Sequence, residues 1–452
     1  SFRMLHSCCQ KRYAFIRTLK RTFRQQFSTN GISYLSVIIV NMSIDKPDIE
    51  ADFTAAKDRG EDAAAMEPLQ VRDSAPGREA LTELAMELTA KSAGFSRSLP
   101  DGVVRALAEL VRSMNCYYSN LIEGHDTHPV DIERALQNDY SDEPRKRDLQ
   151  LEARAHVTVQ QWIDDGGLIG RTASIDGICE LHRRFGENLP EELLWIDDPE
   201  SGERLRMIPG GLRNRDVIVG DHLAVSPGAL PRFLGRFEQV YGRLGKAQTT
   251  ISAAAAHHWL LWIHPFLDGN GRVARLMSYA MLREALDTGG LWSIARGLAR
   301  QEARYKQHLV ACDQPRRGDL DGRESRSEAA LAAFTEFFLQ TCIDQVDFME
   351  QLAQPTKLRE RIRLWVEEEV RTSGLPPKAG QILDAVLYRG ELPRGDVPAI
   401  VGTGDRQARR IVSTLLQMGI LQSSSSKAPL QITFPARLAG RWMPGLFPEA
   451  TG

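Results

Sequence analysis

Between His264 and Arg275 the sequence reads His-Pro-Phe-Leu-Asp-Gly-Asn-Gly-Arg-Val-Ala-Arg. An imidazole, a carboxylate, an amide between two glycines and two guanidiniums thus fall within one short stretch. Each type has a job at a polyphosphate. The glycines let the backbone approach an anion closely, and Asn270 between Gly269 and Gly271 can donate its side-chain amide. Arg272 and Arg275 lie three apart, so on a helix both can face the same anion and grip phosphate oxygens bidentately. Asp268 offers a hard oxygen suited to magnesium, which usually takes one or two carboxylates beside phosphates. His264 can remove a proton near neutral pH. A lone His before Pro, or a single Gly-x-Gly, would be ordinary packing; their concurrence points to a magnesium-bound nucleotide.

The elements around the stretch must position it. Apolar and alanine-rich spacing predicts helices over 249–263 and 271–287. Pro265 and the two glycines break the helix between them, so the motif is a loop opening onto a helix N-terminus. Such a terminus presents unpaired N–H groups and the positive end of the helix dipole. Further helices are predicted at 78–94, 100–118, 131–138, 143–165, 174–186, 229–244, 293–310, 325–351 and 357–372. A single extended stretch reads as a surface hairpin, with Arg213 leading to Val217-Ile218-Val219 and a turn at Gly220-Asp221.

With every defined position of His-x-Phe-x-Asp/Glu-Gly-Asn-Gly-Arg-x-x-Arg filled, the chain resembles the Fic (filamentation induced by cAMP) family over roughly 79–350. The resemblance implies an adenylyltransferase that cleaves ATP at its α-phosphate and moves AMP to a Ser, Thr or Tyr hydroxyl of a protein target. In that reading His264 is the general base and Asp268 holds magnesium. Asn270 and the backbone around Gly269 and Gly271 bind the α- and β-phosphates; Arg272 and Arg275 hold the β- and γ-phosphates. The hairpin at Arg213 and Val217–Gly220 resembles the flap that aligns the target peptide by strand pairing. This chain has Leu212 where the family more often has an aromatic residue before the Arg.

A second match lies at Ser119-Asn120-Leu121-Ile122-Glu123-Gly124. Ser119 and Glu123 are four apart on one helical face, and Gly124 is a natural stop. Alone this is banal, since Glu near a helix end is usually solvated. It resembles the family's inhibitory motif Ser/Thr-x-x-x-Glu-Gly/Asn, which implies that Glu123 pairs with Arg275, competes with the γ-phosphate and misplaces ATP. Some relatives also use this Glu to position water and remove AMP.

The whole chain of 452 residues carries a formal net charge of −2, which gives no global pull toward nucleic acid or membrane. The six cysteines show neither metal-ligand nor disulfide-framework spacing, and no apolar run is long enough to span a bilayer, so a cytoplasmic protein is expected. The first 41 residues hold seven Lys or Arg and no Asp or Glu, as in a transit peptide or an over-extended reading frame, and stand outside the fold argument. Residues 42–78 are acidic and Ala-rich, an expected loosely ordered lead-in to a catalytic body at 79–353.

Within 354–452, Pro376-Pro377 is followed by helical patterns at 379–387, 394–401 and 405–418, then possible strands near 420–422 and 430–434. That order is the order of a winged helix-turn-helix. Arg406, Arg409 and Arg410 stand near the start of its third helix. Nine Lys or Arg against five Asp or Glu in 376–452 is a mild basic excess, compatible with DNA, self-association or protein docking. The expected fold is all-α, a helical bundle with one β-hairpin flap plus a small winged-helix module. The expected function is a self-inhibited protein adenylyltransferase. The rivals are a transferase with another nucleotide donor and a DNA-binding regulator whose nucleotide site only senses ATP.

Overall fold

The computed structural model describes the backbone of Ile38–Ile39 and residues 56–197, 202–286 and 288–448. The rest of the basic stretch 1–41 lies outside these residues. The chain from residue 56 is mainly helical. Helix α1 (Arg78–Arg97) buries Leu81, Ala85, Leu88 and Phe95, and α2 (Asp101–Ile122) buries Val103, Leu107, Leu110, Met114 and Ile122, in each case at three- and four-residue spacing. Helices α3 (Pro129–Leu136) and α4 (Pro144–Asp164) open on a proline, whose missing N–H costs nothing there. The next, α5 (Ile175–Glu187), opens on Ser174, whose Oγ accepts the Gly177 N–H at 2.9 Å.

After α6 (Leu230–Tyr241) come the two central helices, α7 (Lys246–Ile263) and α8 (Asn270–Ala285). Beyond the first turn of α7 most residues of both are buried, Ala253–Ala256 and Ala274 among them, and the two helices pack on each other. A helix buried on all sides belongs at the centre of a body. Helix α11 (Glu328–Ala353) lies against α1 and α7, completing the core. The loop that joins α7 to α8 opens the His264–Arg275 motif, which from Asn270 onward lies on α8.

Three expectations need correction. The lead-in is ordered from residue 56 onward: Met66, Leu69 and Val71 are buried, and Tyr241 Oη donates to the Leu69 carbonyl. Its few apolar residues sit where they close the core, which composition averages conceal. A second hairpin, β2 (Trp195–Asp197) with β3 (Arg204–Arg206), was not expected, because its strands are short and half of their residues are charged. The helix predicted over 293–310 is two, α9 (Ile294–Arg300) and α10 (Glu302–Cys312), since Gln301 leaves helical geometry at φ −118°, ψ 33°.

The flap is β4 (Val217–Val219) paired antiparallel with β5 (His222–Leu223) around Gly220. Strand β1 (Ile38–Ile39) pairs with the other edge of β4, Ile38 opposite Ile218. The lead-in ties down both feet of this flap. Arg59 pairs with Asp216, and Glu61 accepts the Ser226 N–H at 2.9 Å.

Beyond α12 (Pro355–Thr372) the helices α13 (Ala379–Arg389), α14 (Val397–Val401) and α15 (Asp405–Gln417) lead to the antiparallel pair β6 (Leu421–Gln422) and β7 (Gln431–Ile432). Helix α15 buries Ala408, Ile411, Val412 and Leu415 and leaves Arg406, Arg409 and Arg410 exposed. A further helix, α16 (Ala436–Trp442), packs on α3 and α12. The chain then returns to α2: Tyr118 Oη donates to the Leu446 carbonyl at 2.9 Å, and Tyr117 meets Phe447 edge-on at 5.8 Å. No helix among the described residues is long and apolar enough to cross a membrane.

Candidate active site

Helix α7 ends at His264 in the left-handed conformation, φ 51°, ψ 63°. For a residue with a Cβ that costs roughly 1–2 kcal/mol, so neighbours must hold it. Arg213 does. Its Nε donates to the His264 carbonyl at 2.7 Å and its backbone N–H to the Pro265 carbonyl at 2.9 Å; the rest of the guanidinium reaches the carbonyls of Arg215 and Val225. The expectation placed Arg213 in the target-docking flap. The structure buries it beneath the flap as a clamp, because five donors on one rigid fork match a cluster of loop carbonyls. Val217 is buried; Ile218 and Val219 are half-buried and Gly220 is exposed.

The imidazole of His264 is only 6% exposed. Nδ1 lies 3.3 Å from the Leu261 carbonyl, and buried Nε2 has no partner. A proton on Nδ1 facing that carbonyl leaves the Nε2 lone pair available. Burial, with Arg213 adding to it, pushes the pKa down to about 3, so the ring is neutral at pH 7.

Asn270 also serves its own loop: its Oδ1 accepts the Phe266 N–H at 3.0 Å and its Nδ2 donates one of its two N–H groups to the Phe266 carbonyl at 2.9 Å. The side chain braces the loop. Phe266 itself stacks on His182, ring centroids 3.9 Å apart, and Gly269 turns the chain into α8 at φ 77°. Helix α8 has no side-chain cap, so its head keeps N–H groups that an anion can use.

Glu123 comes to that head. Helix α2 closes with the Gly124 N–H on the Leu121 carbonyl (3.0 Å) and the His125 N–H on the Asn120 carbonyl (2.9 Å), Gly124 standing at φ 85°. Only a glycine takes that turn without strain. The closure aims Glu123 at α8, where Oε1 pairs with Arg275 Nη2. A Cβ on Gly271 would collide with the same oxygen. Ser119 completes the grip, its Oγ accepting Arg275 Nε at 2.8 Å and its carbonyl Nη2 at 3.1 Å.

Arg272 is buried but less satisfied. Nη2 reaches Asp268 Oδ2 at 3.3 Å, Nε and Nη1 make no hydrogen bond, and Phe185 lies 4.6 Å beneath the guanidinium. Asp268 is half-exposed and otherwise free among the described contacts. Sequence reasoning missed two neighbours. Glu152 on α4 lies 3.4 Å from Arg272 Nη1, and its Oε2 meets His125 Nδ1 at 2.7 Å. Burial alone would raise the Glu152 pKa; Arg272 and His125 outweigh it and the value is lowered, while the Glu152 hydrogen bond raises that of His125. Glu152, His156 and Gln160 stand four apart on one face, and polar residues among buried ones were the available signal.

The motif is thus shut. A recess of about 410 Å³ lies at the other end of α8, lined by residues such as Asp164, Arg283 and Glu284, and holds no motif residue.

Residues 172–282 match the family model described as the Fic/DOC family. The chain is 28% identical over 189 residues to the protein adenylyltransferase Fic of Drosophila sechellia, covering 41% of this chain and 35% of that protein. It is 29% identical over 171 residues to that of Drosophila erecta, covering 37% and 32%. The chain therefore spans about a third of the length of these relatives. Among solved structures, a Fic family protein from Desulfovibrio desulfuricans G20 aligns at TM-score 0.46 and 16% identity, covering 80% of this chain and 98% of that one. Fic-1 from C. elegans aligns at 0.46 and 17%, covering 61% and 73%. Residues 172–282 of the chain are thus similar to the Fic/DOC family, and to the same region of these adenylyltransferases.

Proposed function

We propose that the chain is a self-inhibited protein adenylyltransferase, transferring AMP from ATP to a Ser, Thr or Tyr hydroxyl of a target protein. One observation carries this reading: the carboxylate of Glu123 lies at the head of α8 against Gly271 and Arg275, where a phosphate would lie, beside a neutral imidazole with a free Nε2. The names of the Drosophila relatives support the reaction class.

In the transfer the acceptor oxygen attacks the α-phosphorus and its proton passes to His264 Nε2. The bond to the bridging oxygen breaks and diphosphate leaves. Arg272 and Arg275 hold the β- and γ-phosphates, and the head of α8 with Gly269 and Gly271 takes the α- and β-phosphates. Positioning and charge neutralisation supply most of the acceleration. Asp268 suits magnesium, since its half-exposed carboxylate is engaged only by the 3.3 Å contact to Arg272. Bound there, the ion would neutralise the polyphosphate. A target peptide adding to β4 takes the edge that β1 occupies.

In the resting state Arg275 belongs to Glu123, so the γ-phosphate lacks its partner. Incubation with ATP labelled at the α- or the γ-phosphate tests the reading. The Glu123→Gly protein should pass α-label, and no γ-label, to protein; absence of α-label on any protein in a complete lysate would overturn it.

A further inference from the structure

Two arginines face the head of α8, and they are supported differently. Arg275 is held mainly by the helix that brings Glu123, through Ser119 and Glu123 itself. Arg272 is 6% exposed, yet its Nε and Nη1 have no hydrogen bond. A buried guanidinium needs a counter-charge, or the cost of taking it out of water is uncompensated. Half-exposed Asp268 offers one weak contact on the loop side. The more enclosed counter-charge is Glu152, in the middle of α4, with Oε2 3.4 Å from Arg272 Nη1.

Glu152 is itself fixed. Its neighbours Ala153, Ala155 and His156 are buried, and its Oε2 is held by His125 at 2.7 Å. His125 is in turn set by its backbone bond to Asn120 in the turn that ends α2. Phe185 limits the guanidinium on one face. Helix, ring and carboxylate thus hold Arg272 with Nη1 toward Glu152 and Nη2 toward Asp268 and the loop.

We propose that Glu152, oriented by His125, is the positioning residue for Arg272 and sets that arginine for the β-phosphate of the nucleotide. Glu123 must leave Arg275 before ATP fits, whereas Glu152 stays in place when ATP is bound. The two carboxylates therefore have opposite effects on binding, although each faces an arginine of the same motif. This inference rests on the nucleotide reading above.

Calorimetric titration of the Glu123→Gly protein with magnesium and ATP, ADP or AMP tests it, with Glu152→Gln added in a second protein. The expected result is that ATP and ADP bind about tenfold more weakly in the double variant, a change of about 1.4 kcal/mol, while AMP, which has no β-phosphate, binds as before. His125→Gln should shift ATP in the same direction by less. An equal fall for AMP would show that Glu152 merely holds the helix together, and unchanged or tighter ATP binding would show that it does not position Arg272. Either result overturns the proposal. If Glu123→Gly binds no nucleotide, the nucleotide reading fails and this inference with it. If it binds ATP but transfers no label, only the transfer reading fails.

Discussion

The loop from His264 to Arg275 is held by different chemistry at its two ends. At the histidine end the contacts are neutral carbonyls gripped by Arg213, with the flap and the ordered lead-in packed above. Nothing there resembles a phosphate, so a nucleotide has no means to exchange those contacts. At the arginine end the contacts are carboxylates, Glu123 and Glu152, which present the charge and oxygens that a polyphosphate presents. One end is therefore a cation held on carbonyls, and the other a pair of carboxylates held on cations.

The contrast can be broken at several points. The largest effect is expected from His264→Ala in the Glu123→Gly background, where loss of the base should lower α-label transfer by about 10²–10⁴-fold while ATP binding survives; rates near those of the parent would remove His264 from the chemistry. Next comes Arg213→Lys, which keeps the charge but loses the fork. Stranding several buried carbonyls should cost about 2–4 kcal/mol, read as a lower melting midpoint with unaltered nucleotide selectivity. Glu123→Gly alone should raise transfer by about 5–150-fold, the usual range of a coupling between two states. If Glu123→Gly matches the parent in transfer, Glu123 is no brake.

The pH response separates the two ends more finely. Burial pushes His156, His257 and His264 to about 3 and His182 to about 4, from 6.5. The unfolded chain then binds more protons than the folded one below pH 6.5, so each such imidazole loses the fold about 1.4 kcal/mol at pH 5.5. At the arginine end His125 is raised, so its contribution is present below pH 6.5 and fades as pH rises through its folded value. The lowered carboxylate of Glu152 loses its contribution only below pH 4.5. Melting midpoints should fall between pH 7 and 5.5, and His156→Gln should flatten that slope; an unchanged slope would contradict the neutral core. The smallest effect belongs to Ser119→Ala, which deprives Arg275 Nε of its acceptor. That should loosen the brake by about 1 kcal/mol, seen as a modest gain in transfer.

Much of the arginine end could be read from the sequence because its determinants are local. Gly124 and Glu123 follow from the way a helix must stop, and Arg272 and Arg275 from the spacing of a new helix. The partner of Arg275 came from the family resemblance rather than from spacing. Glu152 and His125 escaped, since their pairing spans two helices and either residue alone looks like solvated charge. The bracing of the loop by Asn270 was not read from the sequence, because an amide that satisfies backbone of its own loop leaves the residue type unchanged. Arg213 likewise looked like a surface cation, and only the burial of the Ile263–Pro265 carbonyls explains why it is inside. The lead-in was taken for loose chain because a few buried side chains, Met66, Pro68, Leu69 and Val71, do not alter its average composition.

The hydrogen bond from Tyr118 to Leu446 joins residues 328 apart, one step before Ser119 on the helix that carries Glu123. A ribosome adding 5–20 residues per second makes Tyr118 roughly 15–65 s before Leu446. For the last roughly 9–34 s of it, after Arg275 has been made, the nascent chain holds its His264–Arg275 loop and its Glu123 helix without the stretch that fastens the helix down. A newly made molecule thus passes through a less restrained form before it reaches the one described above.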